Sequence, residues 1–230
     1  MPGPTNDYQP LDRRPIRARR WPVIHTLTDT LVRLGVSANA VSITGLLFGV
    51  IAGVALALTP FTNPDTPLLT RALWLAAAAL IQARALCNLL DGMVAVERGT
   101  ASPTGELFNE VPDRLSDTAM LGGLGLSLHA TPWLGLTAAL AAVLVAYVRA
   151  QAAAAGAGQD YAGPMAKPVR MQLVAALCGF LALAPTAWTN PFAISLPDAI
   201  LAFITLGCVV TLARRLRRAA RRLQDGAPSE

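Results

Sequence analysis

Hydrophobic residues run along this chain in six long blocks separated by short polar breaks. A bilayer core of about 30 Å needs roughly 20 apolar residues in a helix. Blocks at residues 41–58, 68–96, 105–128, 133–155, 171–188 and 196–213 meet that need, so six transmembrane helices are predicted. The breaks are legible: Thr59 to Asp65 closes the first connection, Pro185 to Pro197 brackets the fifth, and 155–168 is the longest internal loop, rich in glycine and proline. No repeat is visible, so residues 35–215 are expected to form one bundle. They are flanked by a basic segment, 1–34, and a basic tail, 216–230. Within 11–33 the arginines mix with Trp21, Val23, Ile24, Leu27 and Leu31. That pattern suits an amphipathic helix lying at the membrane interface, and equally a basic tail that sets topology. The expected fold class is all-α: a polytopic membrane protein of six transmembrane helices with an N-terminal interfacial amphipathic helix.

Composition agrees with the pattern. Of 230 residues, 53% are hydrophobic and 14% charged, against about 25% charged in a soluble domain. A soluble enzyme is excluded. The net charge of +5 would fit a nucleic-acid partner, but Trp21 is the lone aromatic interleaved with the arginines, and no nucleic acid is expected. The basic residues instead cluster at block ends. Arg13, Arg14, Arg17, Arg19, Arg20 and Arg33 precede the first block. Arg98 follows the second, Arg149, Lys167 and Arg170 flank the fourth-to-fifth loop, and Arg214, Arg215, Arg217, Arg218, Arg221 and Arg222 end the chain. All fall on one side of a six-helix topology, with Arg71 on the other, which predicts an inner-membrane protein with both termini cytoplasmic. The first 20 residues are polar and proline-rich, so no secretory signal is expected. Cys87, Cys178 and Cys208 lie singly in apolar runs and read as small buried hydrophobes. His129 and Trp133 read as anchors at the outer interface, and Gly122, Gly123 and Gly125 as close helix packing.

Ionisable residues inside spans are costly, so each is a functional hypothesis. Here they concentrate in one place. Arg84, Asn88 and Asp91 end the second span; Glu106, Asn109, Glu110, Asp113, Arg114 and Asp117 begin the third. At 100° per residue, Arg84, Asn88, Asp91 and Ala95 share an arc of roughly 60°, and Asn109, Glu110, Asp113 and Asp117 one of roughly 100°. A short loop joins the two helices, so the stripes can face each other. Four carboxylates so gathered repel unless a hard cation such as Mg²⁺ joins them, and such an ion is often shared with substrate phosphates. Gly92, Ala95 and Gly105 keep the region thin, and Pro112 predicts a kink beside the acids. Interhelical salt bridges from Arg84, Arg98 and Arg114 are the alternative to a metal site, and a cation pathway is a third reading.

The spacing resembles the CDP-alcohol phosphotransferase (CDP-alcohol phosphatidyltransferase) family, whose signature D-x2-D-G-x2-A-R-x8-G-x3-D-x3-D spans the second and third of six transmembrane helices. This chain has Asn88, Asp91, Gly92, Ala95 and Val96, then eight residues to Gly105, then Asn109 and Asp113. Ser37 to Thr44 resembles the family's P-N-x-x-T opening of the first span, Tyr147-Val-Arg149-Ala its Y-x-R-A segment, and Lys167-Pro-Val-Arg170 the basic start of the fifth. Asn88, Asn109 and Val96 depart from the pattern. Glu110 and Asp117 share a face with Asp113, so Asp91, Glu110, Asp113 and Asp117 are expected to restore the site's charge, with Asn88 and Asn109 as neutral oxygen ligands.

The resemblance implies transfer of a substituted phosphoryl group from a CDP-alcohol, with CDP-diacylglycerol the natural lipid donor, to the hydroxyl of a polar alcohol, releasing CMP in phospholipid synthesis. It implies one or two Mg²⁺ or Mn²⁺ ions, Asp113 as base with Asp117 second, and a homodimer. Gly92, Ala95 and Gly105 would line the substrate path, Arg84, Arg98 or Arg114 would replace the missing signature arginine near the phosphates, and Arg149 and Arg170 would bind an anionic acceptor. A catalytically degenerate member acting as a lipid-binding or scaffold protein, and a small ion-coupled transporter, are the other readings.

Overall fold

The computed structural model describes residues 17–62, 67–100, 103–185 and 195–225. Arg13, Arg14, residues 63–65 of the 59–65 turn, the end of the expected fifth span at Trp188, and the Glu106 side chain lie outside what is described. Among the described residues there are α-helices and single 3₁₀ turns and no strand: α1 (Pro22–Arg33), α2 (Ala38–Leu58), α3 (Pro67–Glu97), α4 (Pro103–Gly125), α5 (Pro132–Ala154), α6 (Lys167–Leu183) and α7 (Leu196–Asp225).

The helix boundaries follow local chemistry. α1, α3, α4 and α5 begin on proline and α6 and α7 carry it second, where its missing N–H costs no hydrogen bond. Ser37 caps α2, its side chain accepting from the Ala40 N–H at 3.2 Å. Gly35, Gly99 and Gly156 end α1, α3 and α5 with φ of 73°, 62° and 93°. Each lets the next N–H return to a carbonyl five residues back: Val36 to Leu31, Thr100 to Ala95 and Ala157 to Ala152.

The helices pack through small residues. A Cβ added to Gly49 of α2 would lie 2.5 Å from the Ser116 Cβ, and one on Gly53 would strike the Ala119 carbonyl. Gly123 abuts Gly53 from the other side, and Gly125 of α4 meets Gly135 of α5. Backbones approach this closely only where side chains vanish. The expectation of close packing holds for Gly123 and Gly125, while a Cβ at Gly122 would have open space. Ala52, Leu56, Ile81, Leu124, Ala138, Cys178, Leu201 and Ile204 fill the centre of the bundle, and the three cysteines are free and buried. Around it, Leu47, Leu140 and Leu206 point outward more than half exposed, an apolar girdle suited to lipid rather than water.

Among the described residues, four helices are long and apolar enough to cross a bilayer: α2 with its following turn, α3, α5 and α7. α4 falls short because its first half carries the charged cluster, and α6 because 17 residues are described. The chain is an integral membrane protein. α1 packs Ile24 and Thr28 onto the bundle beside Leu89, Leu90 and Met93, while Trp21 and Val23 stay exposed. α7 continues as one helix to Asp225, past the expected limit near residue 213, because Leu, Ala, Arg and Gln all favour helix. The extension also holds the long loop: Arg215 donates to the Ala162 and Val145 carbonyls, Arg222 to that of Ala157, and Arg218 pairs with Asp160 at 3.0 Å.

The bundle therefore has two different ends. At the far end Leu128 N–H donates to Thr59 Oγ1 at 2.8 Å, Asp198 receives both the N–H and the hydroxyl of Thr131, and Arg71 caps the Ala184 carbonyl. The other end holds the start of α2, the end of α3, the start of α4 and α6, and the charged residues.

Candidate active site

Asp91 is buried near the end of α3, and two contacts orient it. Its Oδ1 accepts the Gly92 N–H at 2.6 Å and its Oδ2 accepts the Ser42 hydroxyl at 3.1 Å. Ser42 Oγ also lies 3.5 Å from Asn109 Oδ1. One hydroxyl on α2 thus lies beside both an acid of α3 and an amide of α4, at a common corner. Gly92 leaves that corner open on its outer side, where Arg19 Nη2 lies 3.9 Å from the position of a Cβ. Ala95 and Gly105 flank it half-buried.

The rest of the cluster is dominated by cations. Arg84, 1% exposed, donates from Nε to Ser116 Oγ at 2.8 Å and pairs through Nη2 with Asp113 Oδ1. It fits because Gly45 has no side chain: a Cβ there would be 2.9 Å from Arg84 Nη1. Lys167, at the start of α6, places Nζ 2.6 Å from Asp113 Oδ2 and 3.0 Å from Asn88 Oδ1. Arg114 lies 3.6 Å from Asp113 and 3.5 Å from Glu110. Arg149 pairs with Glu110, donates to Gln159 Oε1 at 3.0 Å and stacks over Tyr161 with its guanidinium carbon 5.0 Å from the ring centre. Arg170 reaches Asp117 Oδ2 at 3.0 Å and the Met165 carbonyl at 2.9 Å.

The structure thus brings together Arg84, Asn88, Asp91, Asn109, Glu110, Asp113, Arg114, Asp117, Arg149 and Arg170. Arg98 stands apart, donating to the Gly35 and Val36 carbonyls at 2.8 and 2.7 Å and so fastening the α1–α2 turn. Counting acids alone misjudged the electrostatics, because Glu110, Asp113 and Asp117 each have a basic partner. Buried acids without a counter-charge cost several kcal/mol, and here side chains supply that charge. Interhelical salt bridges are therefore present, from Arg149, Lys167 and Arg170 as well as from Arg84, while Arg114 pairs within α4. Sequence reasoning reached Ser42 and Lys167 only as parts of flanking motifs. Gly45 carried no signal until Arg84 was seen to need its space.

This arrangement, a small acid–amide corner beside a bank of cations at one end of a membrane bundle, suits an anionic substrate with an apolar tail. The sequence family agrees. The family model of the CDP-alcohol phosphatidyltransferases matches residues 35–213, and the chain belongs to that family, whose members are enzymes of phospholipid synthesis. Among curated relatives, the phosphatidylinositol phosphate synthase of Mycobacterium marinum is 29% identical over 200 residues, 84% of this chain and 78% of its own length. That of Mycobacteroides abscessus is 28% identical over 203 residues, 84% and 82% of the two chains. Two solved structures of the Mycobacterium tuberculosis phosphatidylinositol phosphate synthase share the fold. One, with CDP-DAG bound, has a TM-score of 0.66 at 23% identity and covers 86% of this chain and 93% of that one. The other, in complex with manganese and citrate, has a TM-score of 0.66 at 24% identity, covering 86% and 88%.

The family depends on a divalent metal, so the donor atoms must be tested against one. Among the described residues no three carboxylate, histidine or cysteine groups form a metal cage. A small hard cation needs no such cage, since one or two carboxylates and the substrate's phosphates suffice. Asp91 and Asn109, both beside Ser42 Oγ, are oxygen donors of that kind, and they fit a divalent ion.

Proposed function

We propose that this enzyme transfers the phosphatidyl group of CDP-diacylglycerol to a hydroxyl of a polar, anionic alcohol, releasing CMP, at the cytoplasmic end of a six-helix bundle in the inner membrane. The observation that carries this reading is the bank of cations, Arg84, Lys167, Arg114 and Arg170, set beside the signature acid Asp91. A diphosphate is attracted to such a bank, and its lipid tail is left facing the apolar girdle. The names of the relatives support an acceptor leading to phosphatidylinositol phosphate, and Arg149 and Arg170 are suited to an acceptor phosphate because guanidinium groups bind phosphate through paired N–H donors.

In this reading Asp91, with Asn109, holds a Mg²⁺ or Mn²⁺ ion, with Asn88 a neutral contact beside it. Bound there, such an ion neutralises charge developing on the diphosphate. Arg84 and Arg114 orient the phosphates in place of the missing signature arginine, and Gly92, Ala95 and Gly105 leave room for the donor. Both Asp113 oxygens are taken by Lys167 and Arg84, so Asp113 serves to hold those cations in place. Asp117 Oδ1 is buried without a hydrogen bond, and a carboxylate oxygen with a free lone pair is the better proton acceptor from the alcohol. Asp117 therefore takes the base role, with Asp113 second. The basic ends of α1 and α7 face anionic lipid, and two chains form a homodimer.

The decisive experiment incubates the purified full chain in lipid nanodiscs with labelled CDP-diacylglycerol, Mg²⁺ or Mn²⁺, and a panel of alcohols that includes inositol phosphate. CMP release with a matching new phospholipid by mass spectrometry is expected. No CMP with any acceptor, together with no stabilisation by CDP-diacylglycerol, would favour a degenerate lipid-binding member instead.

A further inference from the structure

We infer that Lys167 is a resident cation standing where a second divalent ion would otherwise sit, so that this chain binds one metal ion rather than two. The inference rests on the metal-dependent reading above and concerns the number of ions. Lys167 Nζ bridges the Oδ2 of Asp113 at 2.6 Å and the Oδ1 of Asn88 at 3.0 Å. These are the first and last positions of the four-position signature, brought together from α3 and α4, and an ammonium group lies between them. Lys167 is reached from a third helix, α6, and its side chain is 12% exposed, so it is held in place.

The substitutions along the motif match this arrangement. An amide oxygen can accept from an ammonium group without adding a negative charge. Asn88 is thus a suitable partner for a lysine and a weaker one for a metal ion. The acids kept in register are Asp91 and Asp113. Lys167 balances one of them, and a single divalent ion over-neutralises the other. A second ion finds no counter-charge, because Glu110 is held by Arg149 and Arg114, and Asp117 by Arg170. It also meets repulsion from Lys167 and Arg84 at close range, in a buried setting where charge interactions are strong. The corner formed by Ser42, Asp91 and Asn109 has its own contacts, separate from the two that Lys167 makes, and it is the one left to the first ion.

Mn²⁺ binding to the full chain in nanodiscs, counted by electron paramagnetic resonance without any turnover, tests this directly. The wild type is expected to hold one Mn²⁺ per chain with an uncoupled signal. The double variant Lys167→Met with Asn88→Asp is expected to hold two, with the spin coupling of neighbouring ions. Lys167→Arg, which keeps a monovalent cation, stays at one. Two coupled ions in the wild type would overturn the inference and leave the metal-dependent reading intact. A double variant that is folded, by its elution profile and helical circular dichroism, yet holds one ion would also overturn it. No Mn²⁺ in the wild type would remove both. If the double variant does not fold, the wild-type count and Lys167→Arg still decide.

Discussion

The two halves of α4 use opposite physics within one helix. From Asn109 to Asp117 it carries acids, each held by a base from another helix or from its own next turn. From Ser116 to Gly125 it carries small residues that let its backbone touch those of α2 and α5. The first half cannot bury itself among apolar side chains, because its charges need partners. Beyond Asp117 it carries no charge, and at Gly123 and Gly125 no room is left for even a methyl group. Close packing at one end gives a stiff platform, and the other end uses that stiffness to hold five cationic groups at fixed positions. The ion pairs are concentrated at the end away from the glycine contacts.

Breaking the charged half should have the largest effect. Asp91→Ala removes the acid at the proposed metal corner and is expected to lower CMP release about a thousandfold, with the helical circular dichroism unchanged. Asp113→Ala strips Lys167 and Arg84 of their shared counter-charge. Its expected cost is about 3–5 kcal/mol of stability, read as a fall in thermal midpoint in nanodiscs. Asp117→Asn tests the base role: kcat should drop about a hundredfold or more with little change in the donor's KM, and a variant with near-normal turnover would remove that assignment. Breaking the packed half gives a different signature. Gly53→Ala and Gly123→Ala each force backbones apart and should cost about 1–3 kcal/mol, with activity lost only as the folded fraction is lost. At the far end, Arg71→Ala removes one hydrogen bond to the Ala184 carbonyl and should shift stability by about 1 kcal/mol or less, with turnover unchanged. A large loss of turnover in Arg71→Ala would show that the two ends are coupled.

Helix boundaries were legible because proline, glycine and serine act through local backbone geometry, as at Ser37, Gly35 and Gly99. The signature spacing placed Asn88, Asp91, Asn109 and Asp113 on facing stripes, and the fold brings those stripes together. Charge balance was less legible. Reading acids along α3 and α4 found Glu110 and Asp117 as replacements for lost aspartates, but their partners, Arg149 and Arg170, come from α5 and α6. Arg98, close to the motif in sequence, turns to the α1–α2 loop instead. The extent of α7 was also underestimated, because hydrophobicity ends near residue 213 while helix propensity does not.

By itself the sequence determined that the chain lives in a membrane, that its charge gathers on one helix–loop–helix stretch, and which family it belongs to, since each depends on residues close together in the chain. Only the tertiary structure decided which cation meets which acid, because helices distant in sequence supply those groups. It put Ser42 between Asp91 and Asn109, made room for Arg84 over Gly45, and set Lys167 between Asn88 and Asp113. Coulomb interactions depend on distance in space, not on separation along the chain.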